Sequence, residues 1–256
     1  MPKMFNKKRP WLSDAGMAYD GRLPSVYDPE DYPWIEDIEA KWEVIRDELI
    51  KVINETTDDF EPYADIHKTN RKDAWKTAGL LYWTVRSPKL IKKFPKTWSV
   101  FKDVPNLTSC SLLLLEPQST IRLHIGDTDA MLRCHLGLII PAGLPKCGFR
   151  VEQNTMPWKE GKIFIFNDAC EHTAWNNTDQ ERYILSFDVM HPSFFNMRSW
   201  ISSQILGKIL VEVAYQHKPW LEKYFRYKPI EKTLSVLAKG IFRVLIFFKI
   251  PLLKIF

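Results

Sequence analysis

Seven short strand-like segments between residues 109 and 189 constrain the fold of this chain more than any other feature. Most of them end near turn residues such as Pro117, Pro141 or Gly143. Strands this short, separated by turns rather than by helices, indicate a sandwich or jelly roll and not alternating βαβ units. We predict strands at 109–115, 121–124, 132–140, 148–152, 163–166, 172–175 and 183–189.

Helical patterns flank this β-rich region on both sides. Apolar residues at helical spacing predict one amphipathic helix over 34–54, and two short helices are expected within 88–104. A further buried strand is predicted over 75–85, whereas residues 1–33 are rich in proline and have little periodicity. The expected fold class is therefore mainly β with flanking helices.

These patterns divide the chain into three parts. Residues 1–74 are an irregular lead-in plus a helix, residues 75–192 are the β domain, and residues 193–256 are a helical basic tail. Residues 204–256 hold ten Lys or Arg and three Glu, a net +7, which leaves about −2 for the rest of a chain whose total is +5. Because the chain outside residues 204–256 has no excess positive charge to attract a polyanion, we expect no nucleic-acid partner.

The end of the tail is strongly apolar but carries regularly spaced cations. Within 234–256 a Lys or Arg recurs every four to six residues. A bilayer-spanning helix needs about 20 largely apolar residues, and each central cation costs about 2.5–3.5 kcal/mol, which disfavours a span. The pattern favours a helix lying in the membrane interface, with packing on the protein's own body as the alternative.

The cysteines indicate a reducing compartment. They are dispersed, without any Cys-x-x-Cys, so neither a disulfide framework nor a zinc site is expected. The N-terminus lacks the apolar core of a secretory signal. We therefore expect a cytoplasmic protein, with the tail able to hold it at the cytoplasmic face of a membrane.

Two histidines, His124 and His172, each fall at the end of a strand-like segment. Non-haem iron oxygenases hold Fe(II) on one face with two histidines, commonly with a carboxylate, and leave the opposite face open for a cosubstrate and dioxygen. We interpret His124 and His172 as such iron ligands. Either histidine alone is more often an ordinary core or surface residue, and the pair with its surroundings carries this interpretation.

Arg182 follows His172 by ten residues and has apolar neighbours, which places it on the neighbouring strand, deeper in the barrel. A guanidinium fork there can hold the distal carboxylate of a dicarboxylate cosubstrate. Arg133 and His135 alternate with apolar residues, so they share one face of their strand. Burying both is costly unless an anion lies between them, and a second carboxylate would satisfy both.

Several motifs together resemble the aspartyl/asparaginyl β-hydroxylase family of Fe(II)/2-oxoglutarate dioxygenases. They are His124-Ile-Gly, Leu132-Arg133-Cys-His135-Leu-Gly-Leu-Ile-Ile-Pro141, Trp158-Lys-Glu-Gly161-Lys-Ile-Phe-Ile-Phe-Asn-Asp168, Glu171-His172 and Arg182-Tyr-Ile-Leu-Ser-Phe-Asp188. The resemblance implies a double-stranded β-helix (a cupin-like jelly roll). It also implies Fe(II) on His124 and His172, 2-oxoglutarate on Arg133, His135 and Arg182, and dioxygen as the oxidant.

The chain departs from the usual pattern at two positions. Most 2-oxoglutarate enzymes have a carboxylate two residues after the first histidine, where this chain has Gly126, as in the peptide hydroxylases of the family. Asp127 can reach the metal directly, through water or not at all, and we favour two histidines with water in the third place. Leu113 stands where the peptide hydroxylases have a serine that helps to bind 2-oxoglutarate.

The resemblance implies hydroxylation of an unactivated C–H bond. The substrate is expected to be the acyl chain of a membrane lipid or the β-carbon of a peptidyl Asp or Asn, with a free amino acid as a third option. The basic tail favours the lipid. The alternative is a non-catalytic cupin-like module that binds a ligand or partner; loss of His124, His172 or Arg182 would support it, and all three are present.

Overall fold

The computed structural model describes residues 9–63, 65–218, 220 and 228–247. The described strands form two antiparallel sheets, which confirms the predicted mainly β jelly roll with flanking helices. The strands are β1 (Val26–Tyr27), β2 (Glu61–Pro62), β3 (Trp75–Tyr82), β4 (Val85–Arg86), β5 (Leu107–Leu115), β6 (Ser119–His124), β7 (Met131–Ile139), β8 (Cys147–Val151), β9 (Asn154–Met156), β10 (Ile163–Phe166), β11 (His172–Asn176) and β12 (Arg182–Met190).

The larger sheet has the strand order β1-β10-β7-β12-β5-β3-β2, with β4 paired to β3, and the smaller sheet has the order β6-β11-β8-β9. Consecutive strands therefore often lie in different sheets, as in a jelly roll. The described helices are α1 (Trp34–Glu39), α2 (Trp42–Glu55), α3 (Pro88–Lys93), α4 (Pro95–Phe101), α5 (Arg198–His217) and α6 (Lys228–Phe247).

The alternation predicted for β7 is confirmed and assigns its two faces to different cores. Leu132, Cys134 and Leu136 pack with helix α2 and with Phe187 in the cluster behind the larger sheet. His135 faces the other way, towards the aromatic side chains between the sheets. A period of two along the strand thus separates the structural face from the face that can form a site.

The single helix predicted over 34–54 is divided into α1 and α2. The chain leaves regular helix at Lys41, whose backbone has φ −111° and ψ 8°. Glu39, the last residue of α1, accepts hydrogen bonds from the backbone N–H of Ile163 at 2.8 Å and from Lys162 Nζ at 2.6 Å. This tertiary contact ties α1 to the start of β10, which the apolar stripe alone does not reveal.

The predicted lead-in contributes strands to the larger sheet. Val26–Tyr27 pairs with β10, and Glu61–Pro62 pairs with β3. Asn154–Met156 is likewise a strand that the sequence pattern did not predict. Segments of two or three residues are too short to show an alternating pattern, and their pairing is decided by the neighbouring strand.

The tail packs on the body through one face. Phe242 of α6 is buried with Ile205 of α5, and a Cβ on Gly207 would lie 2.5 Å from Lys239 Cγ, so the two helices approach closely there. The opposite face of α6 exposes Leu237 and other apolar residues. No described helix is long and apolar enough to cross a bilayer. Residues 248–256 of the predicted interfacial segment lie outside the described residues.

Replacing Glu48 by Ala should destabilise the fold. Its buried carboxylate accepts the backbone N–H groups of Lys96 at 2.8 Å and Thr97 at 2.7 Å, at the start of α4. Leaving these donors without a partner costs about 1–3 kcal/mol. Urea unfolding of Glu48→Ala should show this loss, and Glu43→Ala, on the exposed side of α2, should not. Equal stability of the two variants would refute the capping role.

Candidate active site

The two predicted metal ligands lie directly opposite each other on paired strands of the smaller sheet. His124 ends β6, His172 begins β11, and the two residues are register partners. Their ring centroids are 4.1 Å apart. Each Nδ1 contacts a backbone carbonyl two residues earlier, Arg122 at 2.7 Å and Cys170 at 2.8 Å. These contacts assign the proton to Nδ1 and leave both Nε2 atoms available to a metal.

Burial sets the protonation state of the pair. It lowers the pKa of both His124 and His172 to about 3. Both imidazoles are therefore neutral near pH 7, which is the form that coordinates metal ions. Two neutral rings can lie this close with little electrostatic repulsion, whereas two imidazolium ions would repel each other.

A carboxylate from another part of the chain occupies the space beside these rings. Asp168 Oδ1 lies 3.5 Å from His172 Nε2 and also accepts a hydrogen bond from Arg133. A Cβ on Gly126 would lie 1.6 Å from Asp168 Oδ2, so no side chain fits at that position. Position 126, where most 2-oxoglutarate enzymes have a carboxylate, is a glycine here. The carboxylate of Asp168 occupies the space that a side chain at position 126 would need. No role for Asp168 follows from the motifs alone, although an acidic residue four positions before a candidate metal ligand is a usable signal.

Asp127, the third ligand considered from the sequence, is engaged elsewhere. Its carboxylate accepts hydrogen bonds from Lys208 Nζ of α5 at 2.8 Å and from Ser13 Oγ at 3.3 Å. Within the described ranges, no three His, Cys, Asp or Glu side chains gather as a ligand group. Direct coordination by Asp127 therefore receives no support from the geometry.

Arg182 is a buried cation without a counter-ion among the described residues. It lies on β12 in the larger sheet, not beside β11 as the sequence analysis expected, because the chain crosses between sheets after β11. Its side chain is only 1% exposed, its guanidinium stacks 4.5 Å from the Trp158 ring centroid, and its Nε has no partner. Burial lowers its pKa to about 10, which still leaves it charged at neutral pH. A buried charge of this kind calls for an anionic ligand.

His135 shares this chamber between the sheets. Its ring packs against the rings of Phe149, Phe164 and Phe166, and its Nδ1 has no hydrogen-bond partner within the described residues. Trp158 also has an unpartnered buried Nε1. Unpartnered polar atoms of three side chains therefore line one aromatic chamber. Trp158 belongs to a quoted motif, but the sequence analysis assigned no function to it.

Arg133 differs from Arg182 because protein carboxylates already neutralise it. Its Nε and Nη2 bind the two oxygens of Asp188 at 2.8 and 3.0 Å, and its Nη1 binds Asp168. The anion that the sequence analysis expected between Arg133 and His135 is thus supplied for Arg133 by the protein itself. Contact of Arg133 with 2-oxoglutarate stays a prediction.

The fold and the paired imidazoles define a cupin-like jelly-roll protein with a candidate metal centre at its mouth. The family model for aspartyl/asparaginyl beta-hydroxylase matches residues 39–192, and the chain belongs to this hydroxylase family. It is 34% identical over 234 residues to the ornithine lipid ester-linked acyl 2-hydroxylase of Rhizobium tropici, covering 88% of this chain and 83% of that protein. It is 31% identical over 191 residues to human aspartyl/asparaginyl beta-hydroxylase, covering 73% of this chain and 23% of that protein.

Two of the solved structures that the chain matches are similar to it over about half of its length. A Pseudomonas putida prolyl-4-hydroxylase gives a TM-score of 0.41 at 13% identity, covering 59% of this chain and 87% of that one. A predicted oxalate decarboxylase of Thermotoga maritima gives a TM-score of 0.35 at 14% identity, covering 52% of this chain and 92% of that one.

Gly126→Ala should disrupt the site, because the added methyl group collides with a carboxylate that Arg133 holds in place. Displacing a buried, ion-paired side chain should cost about 1–3 kcal/mol. Thermal unfolding should show this loss for Gly126→Ala and not for Gly143→Ala, where a Cβ meets no atom within 4 Å. An unchanged melting temperature for Gly126→Ala would contradict the packing of Asp168 against residue 126.

Proposed function

We propose that this chain is an Fe(II)- and 2-oxoglutarate-dependent hydroxylase that acts on the acyl chain of a membrane lipid. The observation that carries the proposal is the pair of neutral imidazoles, each with its proton on Nδ1 and its Nε2 unprotonated, in the same barrel as a buried Arg182 that has no counter-ion among the described residues. This donor set fits the proposed groups: two imidazoles suit iron, and a lone buried guanidinium suits a dicarboxylate.

Each side chain has a distinct task in this proposal. His124 and His172 would hold the iron, and the carbonyl groups of residues 122 and 170 keep both rings in the metal-binding tautomer. Arg182 would hold the distal carboxylate of 2-oxoglutarate, with His135 as a further contact. When bound, Fe(II) and 2-oxoglutarate activate dioxygen and supply the oxidising power that no side chain has.

The protein around the centre excludes water and fixes charge. The phenylalanine rings of β8 and β10 surround His135, so the chamber is lined by apolar surface. Arg133 clamps Asp168 beside His172 and so fixes a negative charge next to the candidate metal position. Charged groups that are already oriented in a site with little water stabilise a transition state more than the same groups do in solvent.

Two observations favour a lipid substrate. The relative from Rhizobium tropici, named as an acyl 2-hydroxylase, matches most of both chains, including part of the tail region. Helix α6 also exposes Leu237, Ile241 and Val244 on one side, although its other side is packed on the body. Such a helix can lie on a membrane surface and bring the site to lipid at the cytoplasmic face. A peptidyl Asp or Asn is the second candidate, favoured by the similarity to the human protein.

Release of succinate from 2-oxoglutarate, with Fe(II) and ascorbate, tests the class of reaction. We expect turnover with a lipid extract, none with His172→Ala, and an increase of about 30-fold or more in the 2-oxoglutarate requirement of Arg182→Met, because a buried ionic contact is lost. Arg150→Met, which removes a guanidinium exposed at the surface, is the matched control. Absence of both turnover and metal uptake in the unaltered protein would favour the non-catalytic binding module.

Binding to vesicles tests the membrane contact. The double change Leu237→Glu/Ile241→Glu should weaken sedimentation of the full chain with phosphatidylglycerol-containing vesicles at least about tenfold, because it places charge on the apolar stripe. Val44→Glu/Ile50→Glu alters two exposed apolar residues of α2 and should leave sedimentation unchanged. Equal binding by both double variants would exclude α6 as the contact.

A further inference from the structure

Trp158 lies in the loop between β9 and β10, and this loop is fastened to β7. The chain after Trp158 approaches Gly137 of β7 so closely that a Cβ there would lie 2.4 Å from the carbonyl oxygen of Lys159. The backbone N–H of Gly161 donates to the Gly137 carbonyl at 3.0 Å. His135 lies two residues earlier on β7, so the strand that carries His135 also fixes the position of Trp158.

The indole of Trp158 adjoins both the guanidinium of Arg182 and the ring of His135. The guanidinium carbon lies over the indole at 4.5 Å from the ring centroid, and the His135 ring lies 6.2 Å away at an interplanar angle of 24°. All three side chains are buried. Each has a buried nitrogen without a hydrogen-bond partner among the described residues, namely Nε of Arg182, Nδ1 of His135 and Nε1 of Trp158. The unsatisfied polar atoms of the chamber therefore belong to three adjoining side chains.

An unpaired indole N–H is uncommon for a buried tryptophan, because this donor usually finds an acceptor. Trp11 and Trp175 each donate theirs to a backbone carbonyl oxygen at 2.8 Å. Trp75 also has a buried Nε1 without a partner, but its ring stacks on Tyr63 and not on a cation. Among the described residues, Trp158 thus combines an unpaired donor with a guanidinium that has no counter-ion. One carboxylate can accept hydrogen bonds from both, since its two oxygens offer about four acceptor positions.

We infer that Trp158 is a ligand-binding residue that donates its indole N–H to the same carboxylate that pairs with Arg182. Its ring also holds the guanidinium in place through a cation–π contact. One side chain therefore contacts the ligand and orients the cation that binds it. This inference rests on the proposed 2-oxoglutarate dependence and adds a residue that selects for the distal carboxylate of that cosubstrate.

The chemistry of the indole explains how Trp158 would discriminate between keto acids. An indole N–H can only donate, so an apolar end group in place of the carboxylate leaves both this donor and the guanidinium unpaired. The aromatic lining of the chamber keeps water from satisfying them, which makes the unpaired state costly. Specificity of this kind arises from the penalty on the wrong ligand as well as from contacts with the right one.

Calorimetry on the full chain loaded with Zn(II) tests the contact without turnover, because this ion accepts imidazole ligands and has no redox chemistry. The matched ligands are 2-oxoglutarate and 2-oxopentanoate, in which a methyl group replaces the distal carboxylate. Trp158→Phe keeps an aromatic ring and removes the N–H, so we expect 2-oxoglutarate to bind about tenfold more weakly and 2-oxopentanoate to bind as before. Equal losses of affinity for the two ligands would indicate a packing role alone and overturn the inference.

Further variants separate the N–H from the ring. Trp158→Leu removes both and should bind 2-oxoglutarate about tenfold more weakly than Trp158→Phe does, because the cation–π contact is also lost. In the Arg182→Met background, Trp158→Phe should change this affinity less than about twofold, because residues that share one partner are not additive. Additive losses would show that the two donors do not share a carboxylate. Trp98→Phe is the matched control, since Arg86 lies over the Trp98 ring at 5.4 Å on another part of the fold, and it should bind both ligands as the unaltered chain does.

Indole N–H resonances report the contact in the unaltered chain and do not depend on the folding of a variant. The Zn(II)-loaded chain is diamagnetic, and its ten tryptophans give a small set of indole signals in a proton–nitrogen NMR spectrum. One of these signals should move downfield on saturation with 2-oxoglutarate and not with 2-oxopentanoate, because a hydrogen bond to a carboxylate deshields the proton. The spectrum of Trp158→Phe assigns it. Binding of 2-oxoglutarate without a downfield shift of this signal would overturn the inference.

These measurements separate the inference from the proposed reaction. Trp158-dependent binding of 2-oxoglutarate without succinate release in any assay would support the carboxylate site and remove the hydroxylase proposal. Succinate release by a chain whose 2-oxoglutarate affinity is unchanged in Trp158→Phe would do the opposite. Absence of 2-oxoglutarate binding by the unaltered Zn(II)-loaded chain would remove both.

Discussion

The pairing of β6 with β11 is the interaction on which the candidate site depends. It sets His172 opposite His124 in register, and a bulge or other irregularity between His172 and Ala174 adjoins the site. Bulges at such positions re-aim side chains. A slip of one residue would turn one imidazole to the opposite face of the sheet. The two carbonyl contacts at Nδ1 then fix the orientation of each ring.

Charge in the barrel is distributed so that one cation remains for a ligand. Asp188 and Asp168 neutralise the charge of Arg133, and this network holds the Asp168 carboxylate beside His172. Arg182 has no such partner in the part of the chain that the structure describes, although it is as deeply buried as the apolar core. Of these two arginines on adjacent strands of one sheet, Arg133 is paired within the protein, and Arg182 is the one whose charge the proposed ligand would balance.

The tail connects the surface of the molecule to the site. Helix α5 packs against the end of the barrel and supplies one wall of the cavity beside Gly126, while α6 covers α5 with one face and exposes apolar residues on the other. A membrane contact at α6 would therefore be separated from that cavity by one helix. The two helices approach each other closely at Gly207.

The sequence by itself determined the longer strands of the β domain, the two faces of β7 and the residue types that the site brings together. Alternation of apolar and polar residues is a local property, because each strand buries one face whatever its partners are. Only the tertiary structure decided that Asp168 fills the space left by Gly126, that Lys208 engages Asp127, and that Arg182 lies in the other sheet, over the ring of Trp158. These contacts join segments distant in sequence, and which segments meet depends on how the whole sandwich packs rather than on any local pattern.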